Sequence, residues 1–101
     1  MYARVNILEG PPDKIDEGMR FFRENVLPDL KQTDGFKGTI SLHDRHSGKT
    51  LGITFWESEE HIRATEEAAK QRRGEVAEAA GEASASVEAY EVGFFEVEDQ
   101  F

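Results

Sequence analysis

The chain has 101 residues and a formal net charge of −9, with 38% hydrophobic and 33% charged residues. This length fits one domain, and seven Phe, two Tyr and one Trp supply enough bulk for a hydrophobic core. The acidic balance argues against nucleic acid and anionic membrane surfaces as partners, because both need a basic patch, and the absence of Cys excludes disulfides and thiolate chemistry.

The first third of the chain predicts a strand followed by a helix. Apolar and polar residues alternate over Tyr2–Glu9, and Gly and Pro at positions 10–12 end the strand. A helix capped near Asp13 follows, because apolar residues recur at helical spacing from Ile15 to Val26. We expect Pro28 to end or kink this helix, with one further turn over residues 29–33.

The middle of the chain predicts an antiparallel hairpin. Alternating patterns cover residues 36–44 and 50–57, and the polar loop between them contains Gly48. Ser58 then stands where an N-cap belongs and begins a second helix over residues 59–80. Gly74 is a candidate break in this helix, and Gly81 is expected to end it.

A last strand is predicted over residues 87–98, with Gly93 as a candidate bulge. The order of elements is then βαββαβ, which predicts an α+β, ferredoxin-like fold with a four-stranded antiparallel sheet and two helices, as a single domain over residues 1–101.

A second copy of the chain is expected to cover the sheet. Two helices cover one face only, and apolar residues fall in both phases of the strands, with Leu8 on the first strand, Trp56 on the third and apolar residues of both phases on the last. The simplest cover is a homodimer about a two-fold axis. The alternative is a monomer with some exposed aromatic side chains.

The second helix carries the pattern that points to a ligand site. Its inward stripe contains mostly small side chains, which leaves space against the sheet, and Arg73 lies close to that stripe. A guanidinium beside an aromatic cavity suits an anionic or phenolate-like ligand, although an edge Arg also commonly extends to solvent. Trp56 is a pocket, core or interface residue, and Asn6 is a pocket donor or an interface hydrogen bond.

Histidines predict no strong metal site. His43 and His46 flank Asp44 near the hairpin loop, which is a weak divalent-ion pattern and more typical of solvated loop residues. His61, three residues after Ser58, is expected to be structural. No nucleophile elbow, P-loop or dinucleotide fingerprint is present, so the sequence assigns no catalytic residue.

Several short segments nevertheless resemble a known family, the antibiotic biosynthesis monooxygenase domains of the dimeric α/β-barrel superfamily. The matching letters lie between Phe21 and Glu60 and read VLPDL, GFKG, GKTLGIT and FWESEE. The order and spacing of elements match over nearly the whole chain. The resemblance implies a homodimer whose sheets form a barrel, with a pocket in each subunit between sheet and helices.

Some members of that family oxidise polycyclic phenols with dioxygen and without metal or flavin, and others degrade haem. The haem-degrading branch uses an Asn on the first strand together with a Trp and a His in the second half of the fold. Asn6 matches the Asn of the first strand. The second helix has no Trp, however, and its one His is His61 at its start. This departure argues against haem degradation.

Two functions remain open from the sequence. The first is a cofactor-independent monooxygenase that acts on a small aromatic or phenolic molecule, and the alternative is a dimer that binds a small ligand without catalysis. In either case we expect no cofactor, no metal and a homodimeric partner. The candidate substrate-binding residues are Asn6, Phe22, Trp56 and Arg73. A chain without a signal peptide pattern at residues 1–9 or a long apolar stretch is expected to be cytoplasmic.

Overall fold

The computed structural model describes residues 1–98, and they form four strands and a layer of helices. The strands are β1 (Tyr2–Glu9), β2 (Phe36–His43), β3 (Lys49–Trp56) and β4 (Ala83–Glu91), and the main helices are α1 (Ile15–Phe21), α2 (Leu27–Lys31), α3 (Glu59–Ala64) and α4 (Glu66–Ala80). The sheet is antiparallel in the order β2-β3-β1-β4. The predicted ferredoxin-like α+β fold is confirmed.

Pro28 does not end the first helical segment. A π-helical turn (Phe22–Val26) joins α1 to α2, so that helical backbone runs on to Lys31. Proline lacks an N–H and crowds the carbonyl one turn before it, and a π-turn shifts the hydrogen-bond register at that point. Pro28 then stands in the first turn of α2, where its missing donor costs little.

The second helical segment breaks at Thr65 and not at Gly74. The Thr65 hydroxyl donates to the carbonyl oxygen of His61 at 2.7 Å, and the Arg4 guanidinium donates to the carbonyl oxygen of Ile62. The backbone N–H of Thr65 is shared between the same two carbonyl oxygens, at 3.2 and 3.3 Å, and Thr65 leaves helical geometry at φ −104° and ψ 10°. Gly74 lies within α4, and a side chain placed there would meet open space.

The caps of this segment follow the prediction. Ser58 Oγ accepts the backbone N–H of His61 at 3.3 Å, and Gly81 ends α4 in the left-handed conformation at φ +64°. The strand that follows begins at Ala83, four residues before the predicted start, and ends at Glu91. The small and polar residues at the start of β4 pair with the end of β1, because the hydrogen bonds between strands use backbone groups alone. Gly93 lies beyond the strand, and the irregular pairing occurs beside Ile7 and Leu8 of β1 instead.

The two faces of the sheet differ from the expected distribution. Leu8 and Trp56, predicted for the uncovered face, lie on the helix side and are 4% and 0% exposed. The opposite phase forms a face that the helices do not cover, which comprises Val5, Ile7, Ile40, Leu42, Leu51, Ile53, Phe55 and Tyr90 by strand register. At one end of this face the Phe95 ring packs edge-on against Phe55 at 5.2 Å, and Phe55 is buried. The apolar phase of β1 therefore faces away from the helices, and the phase with Arg4 and Asn6 faces them.

No helix among residues 1–98 combines the length and apolarity that crossing a membrane requires. The hydrophobic core lies at one end of the interlayer space, where Trp56 packs with Val26, Leu30 and Ile62. The Phe36 ring meets the Trp56 ring edge-on at 5.6 Å between centroids. This arrangement leaves the other end of the interlayer space free.

Candidate ligand-binding site

A cavity of about 340 Å³ lies between the sheet and the helices. This is the size range of small-molecule sites. On its helix side, α4 contributes the small or medium side chains of Ala69 and Val76, as the small inward stripe predicts, and the first helical segment contributes larger ones such as Met19 and Phe22. Its sheet side includes Gly52, and a β-carbon built at Gly52 would find no atom within 4 Å. A missing side chain on the sheet and small ones on the helix together account for the space.

The four predicted ligand-binding residues all line this cavity. Phe22 reaches it from the π-helical turn, Asn6 and Trp56 from neighbouring strands, and Arg73 from α4. Trp56 is fully buried and donates its indole N–H to Thr54 Oγ1 at 2.9 Å, so its polar group is already paired. Trp56 therefore offers a ligand only its ring.

Asn6 and Arg73 form one polar unit across the two layers. Arg73 donates to Asn6 Oδ1 at 2.9 Å, and Asn6 Nδ2 donates to the carbonyl oxygen of Gly52 at 2.9 Å. These two bonds fix the amide orientation and hold the guanidinium over the sheet. A guanidinium has five N–H donors, so Arg73 retains donors for an anion in the cavity.

Arg4 adds a second positive charge to the same wall. Its side chain is buried, donates to Thr65 Oγ1 at 3.3 Å, and lies 5.7 Å from the Trp56 ring centroid. Burial lowers the pKa of Arg4, and the charges of Arg73 and Arg72 lower it further, against the opposing effect of Glu66. Mutual repulsion among these cations is relieved by an anion, so the cavity of this acidic chain is locally electropositive.

A hydrogen-bonded row of polar side chains lies on the β2 side of the cavity. Ser41 Oγ lies 2.7 Å from His43 Nε2, and His43 Nδ1 lies 2.9 Å from Thr50 Oγ1. Glu82 lines the same cavity, and its interaction with Thr50 lowers the pKa of the carboxyl against the larger, opposing effect of burial. All four residues line the cavity.

The sequence pattern did not predict this row. It places His43 in the second strand, but as a residue more typical of a solvated loop than of a site, whereas His43 is partly buried and pairs with Thr50 across the hairpin. The signal was the polar phase of β2, since Thr39, Ser41 and His43 alternate along one face. Glu82, forty residues further on, had no local signal.

In the hairpin loop, the Asp44 carboxylate is bound by backbone N–H groups. Asp44 accepts the backbone N–H groups of His46 and Ser47 at 2.9 and 3.2 Å, which is an Asx-type turn. Within residues 1–98, no three His, Asp or Glu side chains are grouped as metal ligands. His61 is structural, because it caps with Ser58 at 2.7 Å and contacts Asp34 at 3.2 Å.

No family model matches the chain. Among curated relatives, uncharacterized protein Rv2557 of Mycobacterium tuberculosis is 34% identical over 92 residues, which are 91% of this chain and 41% of that protein. Uncharacterized protein Rv2558 of the same organism is 37% identical over 67 residues, 66% of this chain and 28% of that protein. The chain therefore spans less than half the length of these relatives.

Three solved structures share the fold. A putative antibiotic biosynthesis monooxygenase from Deinococcus radiodurans has a TM-score of 0.67 at 14% identity, with 96% of this chain and 97% of that chain covered. The haem degrader MhuD of Mycobacterium tuberculosis, with two haems bound in its active site, has a TM-score of 0.68 at 21% identity, with 96% of this chain and 100% of that chain covered. The monooxygenase ActVA-Orf6 of Streptomyces coelicolor, in complex with nanaomycin D, has 0.67 at 14%, covering 96% and 92%. The predicted resemblance is confirmed at the level of the fold.

Proposed function

On the premise that the chain has the fold of the antibiotic biosynthesis monooxygenases, we propose that it is a cofactor-independent monooxygenase for a small aromatic phenol. The observation that carries the proposal is the hydrogen-bonded Asn6–Arg73 unit beside Gly52, whose lack of a side chain leaves space in the cavity. A phenol that loses its proton becomes an electron-rich anion, and fixed cationic donors stabilise that anion in a site shielded from water.

The proposed reaction needs only dioxygen as co-reactant. A phenol and one dioxygen give a quinone and one water. One oxygen atom forms a new C–O bond at a ring carbon, the other leaves as water, and the ring is oxidised as dioxygen is reduced. The chain's part is to bind the ring, hold the anion at Arg73 and Asn6, and exclude bulk water.

Oxygen consumption with 1,8-dihydroxyanthrone tests this proposal. We expect uptake above the spontaneous rate, with the quinone detected by mass spectrometry. Thermal stabilisation measured in the same wells separates binding from turnover, because a ligand raises stability whether or not it reacts. Stabilisation without uptake would favour the alternative of a non-catalytic binding protein.

A homodimer is the second part of the proposal. The uncovered face of the sheet is apolar, and Ile40, Leu42 and Tyr90 on it are 41%, 48% and 53% exposed. Patches of this kind mark interaction surfaces. This chain matches 41% of the length of the relative Rv2557. The remaining three fifths of that protein are long enough to contain a second unit of the same size. A second copy of the sheet is the partner of matching shape and polarity.

Substitution of Ile40 and Leu42 by Lys is expected to separate the dimer. Both side chains are exposed in a single chain, so the charges harm the interface and not the monomer core. Light scattering coupled to size exclusion should give twice the chain mass for the parent protein and the chain mass for the double variant. Ala68→Lys, on the exposed side of α4, is the control and should stay dimeric. A monomeric parent protein would refute the dimer.

A further inference from the structure

We infer that Ser41, His43, Thr50 and Glu82 form a proton relay that takes the proton from a hydroxyl group of a fused-ring phenol in the cavity. The inference rests on the proposed function, because it names the group that generates the anion. It assigns proton acceptance to His43 through the Ser41 hydroxyl.

The distances around His43 suit one direction of transfer. In the proposed tautomer His43 donates to the Thr50 hydroxyl and accepts from Ser41. His43 then carries its proton on Nδ1, 2.9 Å from Thr50 Oγ1, and Nε2 is the acceptor, 2.7 Å from Ser41 Oγ. In this tautomer neutral His43 removes a proton from Ser41.

The transfer conserves atoms and charge. The ligand O–H bond breaks and its proton joins Ser41 Oγ, while the Ser41 proton joins His43 Nε2. The products are a ligand oxyanion, which is the electron donor to dioxygen, and a His43 imidazolium, which holds the proton.

The electrostatics around His43 favour this role. Burial lowers the pKa of His43, Arg45 lowers it further and Asp16 opposes them. Arg45 and Asp16 pair at 2.8 Å, which offsets part of each charge. Burial raises the pKa of Glu82 against the opposing Thr50 hydrogen bond. A resting His43 that is neutral at physiological pH is ready to accept a proton.

Strand register places the relay and the Arg73 unit on opposite sides of the floor. Asn6, Gly52 and Ser41 are direct neighbours across β1, β3 and β2. Two strand spacings separate Asn6 from Ser41, roughly 10 Å. A fused two- or three-ring phenol lying over Gly52 contacts both Ser41 and Arg73. When its hydroxyl loses a proton to Ser41, the negative charge is delocalised through the rings to an oxygen beside Arg73.

The pH profile of oxygen uptake with 1,8-dihydroxyanthrone tests the relay. In the parent protein the rate should rise with pH through a pKa below the ordinary 6.5 of His, because only neutral His43 accepts a proton. His43→Gln should lower the rate at pH 7 by about 100-fold and remove this titration. His46→Gln, in the adjacent loop and outside the cavity, is the matched control and should keep both rate and profile.

Two further variants separate proton transfer from a structural role. Ser41→Ala should reproduce the loss, and Ser41→Thr, which restores a hydroxyl, should recover most of the rate. An unchanged profile in His43→Gln, with a melting temperature like that of the parent, would overturn the relay.

A spectroscopic readout distinguishes failure of the relay from failure of the proposed monooxygenase. The anion of 2-hydroxyanthraquinone absorbs at longer wavelength than the neutral form, so its bound protonation state is measured without turnover. The parent protein should bind more of the anion at pH 7 than His43→Gln does, even if no oxygen is consumed. Equal anion fractions would refute the relay alone, whereas no binding to the parent protein would refute both the ligand site and the relay.

Discussion

Gly52→Val is expected to abolish ligand binding and oxygen uptake while leaving the fold intact. The new side chain enters the floor of the cavity, where its β-carbon meets nothing within 4 Å, and its γ-methyl groups take space that the ligand would occupy. Val is favoured in strands and Gly is not, so the free energy of unfolding should stay the same or rise by about 0.5–1 kcal/mol. Denaturant unfolding and the affinity for 2-hydroxyanthraquinone measure the two effects.

Gly74→Ala is the matched control for that experiment. It also replaces an unobstructed Gly, but in exposed α4, where it should stabilise the chain by about 1 kcal/mol and leave affinity unchanged. Loss of affinity in Gly52→Val but not in Gly74→Ala places the ligand between sheet and helices. Undiminished affinity in a folded Gly52→Val protein would exclude this cavity as the binding site.

Local patterns sufficed for the elements whose causes lie in neighbouring residues. β1 begins and ends where its alternation does, Ser58 caps α3, and Gly81 ends α4. In each case the deciding interaction spans at most a few positions, so a single sequence contains it.

Elements shaped by distant residues were not predictable in this way. The break at Thr65 depends on Arg4, which lies 61 residues earlier and binds the Ile62 carbonyl. The early start of β4 depends on backbone pairing with the end of β1. Neither leaves a trace in local hydrophobic periodicity.

The candidate site shows the same division. Side-chain size along α4 predicted a space, and the residue types of Asn6 and Arg73 made each a candidate for it, but their direct hydrogen bond was not predicted. The Ser41–His43–Thr50–Glu82 row needs the register of the hairpin and the position of the turn after α4, which only the folded chain supplies. Alternation on β2 predicts that Ser41 and His43 share a face, but not which face meets the helices.

Arg73→Ala is expected to weaken binding of the 2-hydroxyanthraquinone anion by about 10- to 100-fold, because a hydrogen bond to a charged group contributes about 1.5–3 kcal/mol. The change also leaves Asn6 Oδ1 without its donor and loosens the amide over Gly52. The same loss should appear in the oxygen-uptake rate at low substrate concentration. Arg73→Lys keeps the charge but not the planar guanidinium, so its affinity for the anion should lie between those of the parent protein and Arg73→Ala.

Arg63→Ala controls for net charge in this comparison. Arg63 pairs with Glu59 at 3.1 Å on an exposed surface of α3, so its loss should change affinity little. Arg73 and His43 make separable contributions. Arg73→Ala should weaken binding of the anion and leave the pH profile of oxygen uptake unchanged. His43→Gln should remove the titration from that profile and retain the affinity for an anion that is already formed in solution. If Arg73→Ala and Arg63→Ala bind the anion equally well, the Arg73 guanidinium supports Asn6 but does not bind the anion.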